Sequence, residues 1–159
     1  MVLYELSFDF NNFLKCFIPL VVAVILFICY FKKLQQKNKG AIIFVSIFCS
    51  IFLLISLYLS IGFISDYSKK KDCLNSNDCP TVSGVVENYH PMPYDGHDRE
   101  HFEIDGVYFE YSDFTITNGY HNAASRGGVI TQNGQKLLIK YYYDEKNDIN
   151  IILYIEEVE

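Results

Sequence analysis

Two long apolar runs near the start of the chain constrain its fold most. Phe13 to Phe31 reads FLKCFIPLVVAVILFICYF, with one charge, Lys15, near its beginning. Ala41 to Ile64 reads AIIFVSIFCSIFLLISLYLSIGFI, with no charge. A helix of about 20 apolar residues crosses the hydrocarbon core of a bilayer. Both runs reach that length, so residues 13–64 read as a two-helix transmembrane anchor. The loop between them, Lys32 to Gly40, is short enough to impose an antiparallel hairpin. A secretory signal is the competing reading of the first run. It requires a basic leading segment and small residues at a cleavage site. Residues 1–12, read as an N-terminal tail, carry Glu5 and Asp9 and no basic residue, and the run ends on the bulky Cys29-Tyr30-Phe31. The expectation is a retained helix. Neither run holds an ionisable group near its middle, which argues against a transporter, proton relay or voltage sensor.

Charge divides at the same boundary. Before Ser65, five lysines face two carboxylates, for a net +3; from Ser65 onward, eight basic residues face seventeen acidic ones, for −9. Four of the five lysines (Lys32, Lys33, Lys37 and Lys39) lie in the hairpin loop. Basic short loops stay cytoplasmic, which leaves both chain ends outside. Lys69, Lys70 and Lys71 follow the second run and oppose this reading. Cys73 and Cys79 break the tie. They flank Leu-Asn-Ser-Asn-Asp within a linker, residues 65–80, and a disulfide across so short a loop is sterically ordinary. Disulfides persist in oxidising compartments. A zinc site from this spacing is disfavoured. In the second run Ser46 and Ser50, then Ser56 and Ser60, have the small-x-x-x-small spacing of close helix packing. The expected partner is the first helix, with homo-oligomerisation as the alternative.

From Thr81 to Glu159 the pattern changes to short β-prone runs. Thr81–Tyr89 is interrupted by Gly84, read as a bulge or bend. Glu100–Ile104 and Val107–Ser112 flank Asp105-Gly106, a strong hairpin signal. Val129–Thr131 is a possible further strand start, Asn133-Gly134 a tight turn, and Lys136–Tyr143 with Ile149–Val158 a terminal hairpin. Five strands with an irregular insert at Thr115–Gly128 suggest a small, partly open barrel of the OB type. An open sheet or an SH3-like barrel is the alternative. The fold class expected is therefore a membrane α-helical hairpin plus a small all-β domain.

The run HPMPYDGHDREHFEIDGVYFEYSDF, followed by NGYHNAASRGGVI and a terminal β-hairpin, resembles a group of small bacterial membrane proteins. That group shares a G-H…F-x-x-x-G-x-x-F-x-Y-S-D pattern and a later Asn-rich, Gly-Gly segment. The resemblance covers most of the β domain and none of the helices. This chain departs from it at Arg126 and Val129, where the group carries His and Pro. The resemblance implies a bacterial envelope origin and a shared surface feature; together with the two apolar runs, the expected location is the inner membrane, crossed twice. It implies no activity.

The candidate binding residues are His90, Tyr94, His97, Arg99, His101, His121 and Arg126. The segment His90–His101 is the most polar and irregular, and in an OB fold it becomes the loop between the first and second strands, part of the usual binding face. His97 and His101 are four apart, but Pro91, Pro93 and Gly96 argue against the helix that would turn this into a zinc pair. No metal or cofactor is expected. Ser125-Arg126-Gly127-Gly128 could cradle an anion, but no phosphate-loop pattern surrounds it. Tyr108, Tyr111, Tyr141, Tyr142 and Tyr143 could stack on bases; the acidic charge argues against nucleic acid and for aromatic packing. His121, Asp113 and Ser125 supply hydrolase residue types without a nucleophile elbow. The reading is a non-enzymatic envelope protein whose extracytoplasmic domain binds a protein or peptide. An immunity protein against a membrane-active or periplasmic toxin is one alternative. A metal-dependent envelope enzyme using His97 and His101 is another.

Overall fold

The computed structural model describes residues 1–34, 39–95 and 98–158. Lys37 of the basic loop and the candidate His97 lie outside the described residues. The chain forms two compact units: Asp9–Asp66, and Met1–Phe8 together with Tyr67–Glu159.

The helical unit begins with α1 (Phe10–Lys15), capped by the Asp9 side chain, which accepts from Asn12 N at 3.0 Å. Helix α2 runs from Ile18 to Leu34. The sequence suggested one continuous run here, but Cys16 and Phe17 form a turn. Pro19 explains the break: it has no N–H to give to the preceding turn, so the helix cannot run through unbroken. Helix α3 spans Lys39–Ser76, and its first part belongs to this unit. Ala23 is fully buried, and Cys49 Sγ approaches Ala23 O at 3.6 Å, so α2 and α3 pack closely there. Ser56 and Ser60 are buried, as the small-residue spacing suggested, whereas Ser46 and Ser50 are exposed. Ser60 donates to Ser56 O at 2.8 Å and Ser50 to Ser46 O at 2.9 Å, so both hydroxyls are satisfied within the helix.

Two spans are long and apolar enough to cross a membrane: Phe10–Cys29, mean hydropathy 2.4, and Ile42–Ser76, mean hydropathy 2.7. Only 11% and 6% of their most apolar windows are buried, so they do not have the packing of soluble core helices. Phe44, Leu54, Tyr58 and Ile61 are each more than 60% exposed.

The second unit is a six-stranded antiparallel sheet that does not close, in the order β1-β6-β5-β2-β3-β4. The strands are β1 (Val2–Glu5), β2 (Thr81–His90), β3 (Glu100–Ile104), β4 (Val107–Tyr111), β5 (Lys136–Asp144) and β6 (Ile149–Glu157). Five had been expected. The sixth is β1, in what the sequence suggested was a tail: it pairs Val2 with Glu156 and Tyr4 with Ile155. Residues Val129–Thr131 form no strand. Asp105 and Gly106 both take positive φ, as the two-residue hairpin between β3 and β4 requires. Gly84 lies within regular β2–β5 pairing; the irregularity falls between Glu87 and His90, where Asn88 has φ 52°. Gly84 serves a close approach instead: a Cβ there would sit 3.1 Å from Ile104 Cγ2.

The expected linker is also structured. Helix α3 continues to Ser76 and stops at Asn77, whose φ of 56° is a left-handed ending. Cys73 and Cys79 stand at disulfide distance, with Cα atoms 5.1 Å apart. They join Leu6, Ile151 and Leu153 in a small core, with Tyr67 and Leu74 packed against it. The main core lies on the other side of β6, around Val86, Phe102, Ile104, Phe109, Ile139 and Ile152. This is why β6 reads as a nearly continuous apolar run: it is buried on both faces.

Candidate functional site

Strands β2 and β3 carry two of the residues singled out by the sequence, His90 and His101, and the connection between them carries Tyr94 and Arg99. His90 closes β2 and is the cross-strand partner of His101 on β3. Their rings stack with centroids 4.7 Å apart and planes 16° apart. His90 Nε2 lies 2.9 Å from Asp98 Oδ2, and Arg99 N donates to Asp98 Oδ1 at 2.7 Å. These two interactions, the His90 one first, hold the Asp98 carboxyl below its ordinary range. Arg99 forms an ion pair with Glu110 on β4. The tip residue Tyr94 is 82% exposed.

The connection from β4 to β5 contributes the other side. Arg126 Nε is 2.8 Å from Asp113 Oδ2, a contact that is ionic and not aligned as a hydrogen bond. The same guanidinium lies 5.5 Å from the centre of the Phe114 ring, within cation–π range. Phe114 is 66% exposed. Asp95, Asp98, Arg99, Ser112, Phe114 and Thr115 line an open depression of about 520 Å³. His121, whose Nδ1 is 2.9 Å from Gly119 O, lines a narrow slit of about 30 Å³ that Arg99 also borders.

Of the seven candidates, Arg99 lines the depression directly. His90 holds its Asp98, Arg126 braces its Phe114, and Tyr94 immediately precedes its Asp95. His101 joins through the His90 stack, and His121 shares only the slit with Arg99. The glycine pair forms no anion cradle, because Gly127 N donates to Ala124 O and Gly128 N to Ala123 O. Tyr111 and Tyr141 pack edge-on against Tyr120 and Phe109, at 5.0 and 5.3 Å. Among the described residues no group of three or more His, Cys, Asp or Glu side chains could hold a metal ion.

Beneath this surface lie supports that the sequence did not mark as such. Glu100 is fully buried and accepts from the Tyr111 hydroxyl at 2.6 Å. Asp113 Oδ1 accepts from Ala123 N at 2.6 Å. Tyr120 Oη accepts from Val129 N at 2.7 Å. The signal for Glu100 was present: on a strand, it shares a face with Phe102 and Ile104. The run from Phe102 to Asp113 thus contributes to the supports of the depression as well as to its lining.

The protein is therefore defined by an open, six-stranded antiparallel β domain and two long apolar helices. Comparison with family models, curated proteins and solved structures finds no match.

Proposed function

We propose that this chain is a membrane-anchored, non-enzymatic protein of the bacterial envelope. Its β domain lies outside the cytoplasm and binds a protein or peptide at the depression around Arg99 and Phe114. The observation that carries the binding reading is the depression itself. It is flanked by exposed aromatic residues, Tyr94 and Phe114, and both of its connections are braced from below. Aromatic residues on a rigid support are favourable anchors for a protein partner.

Several features support the location. The two apolar spans are poorly buried, which suits lipid better than water. Strand β1 pairs with β6, which favours a shared side of the membrane for the segments before the first span and after the second. The lysines that oppose the charge rule are partly occupied: Lys71 Nζ bonds Glu5 Oε1 at 2.9 Å, and Lys70 is 2% exposed. That weakens their claim as free juxtamembrane cations, whereas the loop lysines concentrate positive charge between the spans. The Cys73/Cys79 pair fits an oxidising compartment. An OB-like reading fits the pairing of β2 through β6. Strand β2 pairs with both β3 and β5, β3 with β4, and β5 with β6. The remaining seam, between β4 and β6, is bridged by Asn150 Nδ2 donating to Tyr108 O at 2.9 Å. A short 3-10 turn, Ala124–Arg126, falls between the third and fourth strands of that set.

Photo-crosslinking in intact cells tests the binding reading. A crosslinker at Tyr94 or Phe114 is expected to capture the same envelope protein, and one at Tyr143, exposed elsewhere on the domain, is not. Equal capture from all three positions, or capture from none, overturns it.

A further inference from the structure

Glu100 joins segments that are distant in sequence. Its Oε1 accepts from Tyr111 on β4 at 2.6 Å. Its Oε2 accepts from Ala124 N at 2.9 Å and from Met92 N at 3.3 Å. Met92 belongs to the β2–β3 connection, which supplies Asp95 and Asp98 to the depression. Ala124 belongs to the β4–β5 connection, which supplies Phe114 and Thr115. One carboxyl thus holds the backbone of both connections. Ser112 Oγ, 3.5 Å from Met92 Sδ, adds a side-chain contact between them.

A fully buried carboxyl is a costly way to fill an inward strand position. An apolar residue would suit the neighbouring Phe102 and Ile104 better, but it could not accept from two separate backbone amides. We propose that Glu100 is a positioning residue that locks the two connections to each other, so that the surface they form is a single preformed unit. Its value for binding rests on the function proposed above; the lock itself does not.

Amide hydrogen exchange on the full chain in detergent micelles tests the lock without any partner. Glu100→Gln keeps one acceptor oxygen and turns the other into a donor, leaving fewer lone pairs for the three groups that donate to Glu100. Exchange at Met92 and Ala124 should rise at least ten-fold, with Leu153 and Ile155 in β6 unchanged. Ala124→Pro is the second variant. It puts a ring carbon in place of the N–H that reaches Glu100, and Ala123 already has the extended geometry (φ −71°, ψ 151°) favoured before proline. In that variant exchange at Met92, which shares the Glu100 Oε2 acceptor with Ala124, should also rise several-fold. Unchanged Met92 exchange in Ala124→Pro means that the connections are held independently, and overturns the proposal. So does a uniform rise across β6 in Glu100→Gln, which would make Glu100 a contributor to stability alone. Failure to capture a partner by crosslinking would leave these rates as they are, so the two ideas fail separately.

Discussion

At the scale of single residues, the buried hydroxyls make the domain sensitive to alkali. Burial is the main cause that raises Tyr111, Tyr89 and Tyr120 above the ordinary tyrosine value of 10.0, and nearby Glu100 adds to it; Tyr120 is pushed up to about 12. A raised tyrosine favours the fold while neutral. Its contribution is therefore complete below pH 10 and is lost as the pH climbs through about 12. Urea midpoints followed by near-ultraviolet circular dichroism should fall steeply between those values. Tyr111→Phe should cost about 1–3 kcal/mol at neutral pH, because it strips a donor from a buried acceptor. Glycines provide a second test. A Cβ at Gly128 would collide with backbone, including Ala123 O at 2.9 Å, whereas one at Gly119 would meet the Ile151 Cγ2 methyl first and the Ile152 backbone oxygen next, at 3.1 Å. Gly128→Ala should cost about 3 kcal/mol or more and Gly119→Ala about 1–2. Equal losses would show that backbone contact is not the deciding factor. At this scale the sequence was legible in part. The exposed candidates were visible as an irregular polar loop. Glu100 falls in the same polar run, His90–His101, and its charge conceals a strand parity that points it inward.

At the scale of elements, what could be read depended on how local the signal was. The β3–β4 hairpin was readable because Asp105-Gly106 alone sets its turn. The terminal hairpin was readable from two apolar runs with a polar tip. Strand β1 was not: four residues with no turn beside them pair with a strand more than 140 residues away. The extension of α3 had a signal that apolarity concealed, since no glycine or proline interrupts the chain from Ser65 until Pro80. Both elements converge on Leu6, which is 2% exposed and donates to Leu153 O at 2.8 Å. Leu6→Ala should cost about 2–4 kcal/mol, and Val2→Ala, at an exposed position on the strand just before it, less than about 0.5. If residues 1–8 were only a tail, neither change would move the urea midpoint. Replacing Cys73 and Cys79 together by serine should cost about 2 kcal/mol, the modest value for a short loop. Thiol labelling of the denatured wild-type chain should find only Cys16, Cys29 and Cys49 free.

At the scale of the whole molecule, the strand pairing constrains topology more strongly than the lysine count does. The charge rule weighs the hairpin loop against Lys15 and Lys69–Lys71, and by number alone the result is close. The pairing of β1 with β6 does not depend on that count. If each apolar span crosses the bilayer once, residues 2–5 and 149–157 must share a side, whichever side it is. Single cysteines introduced at Ser7, Gly40 and Lys146 separate the possibilities, with an impermeant maleimide added to intact and then permeabilised cells. Ser7→Cys and Lys146→Cys should react before permeabilisation and Gly40→Cys only after it. The reverse pattern keeps the hairpin but turns the β domain to the cytosol. The Cys73/Cys79 pair would then face a reducing compartment, and the proposed partner would have to be cytosolic. A split result, with Ser7→Cys and Lys146→Cys reacting under different conditions, is the more damaging one. It would separate β1 from β6 and leave Leu6 without Leu153, so the fold itself, and not only its orientation, would need revision.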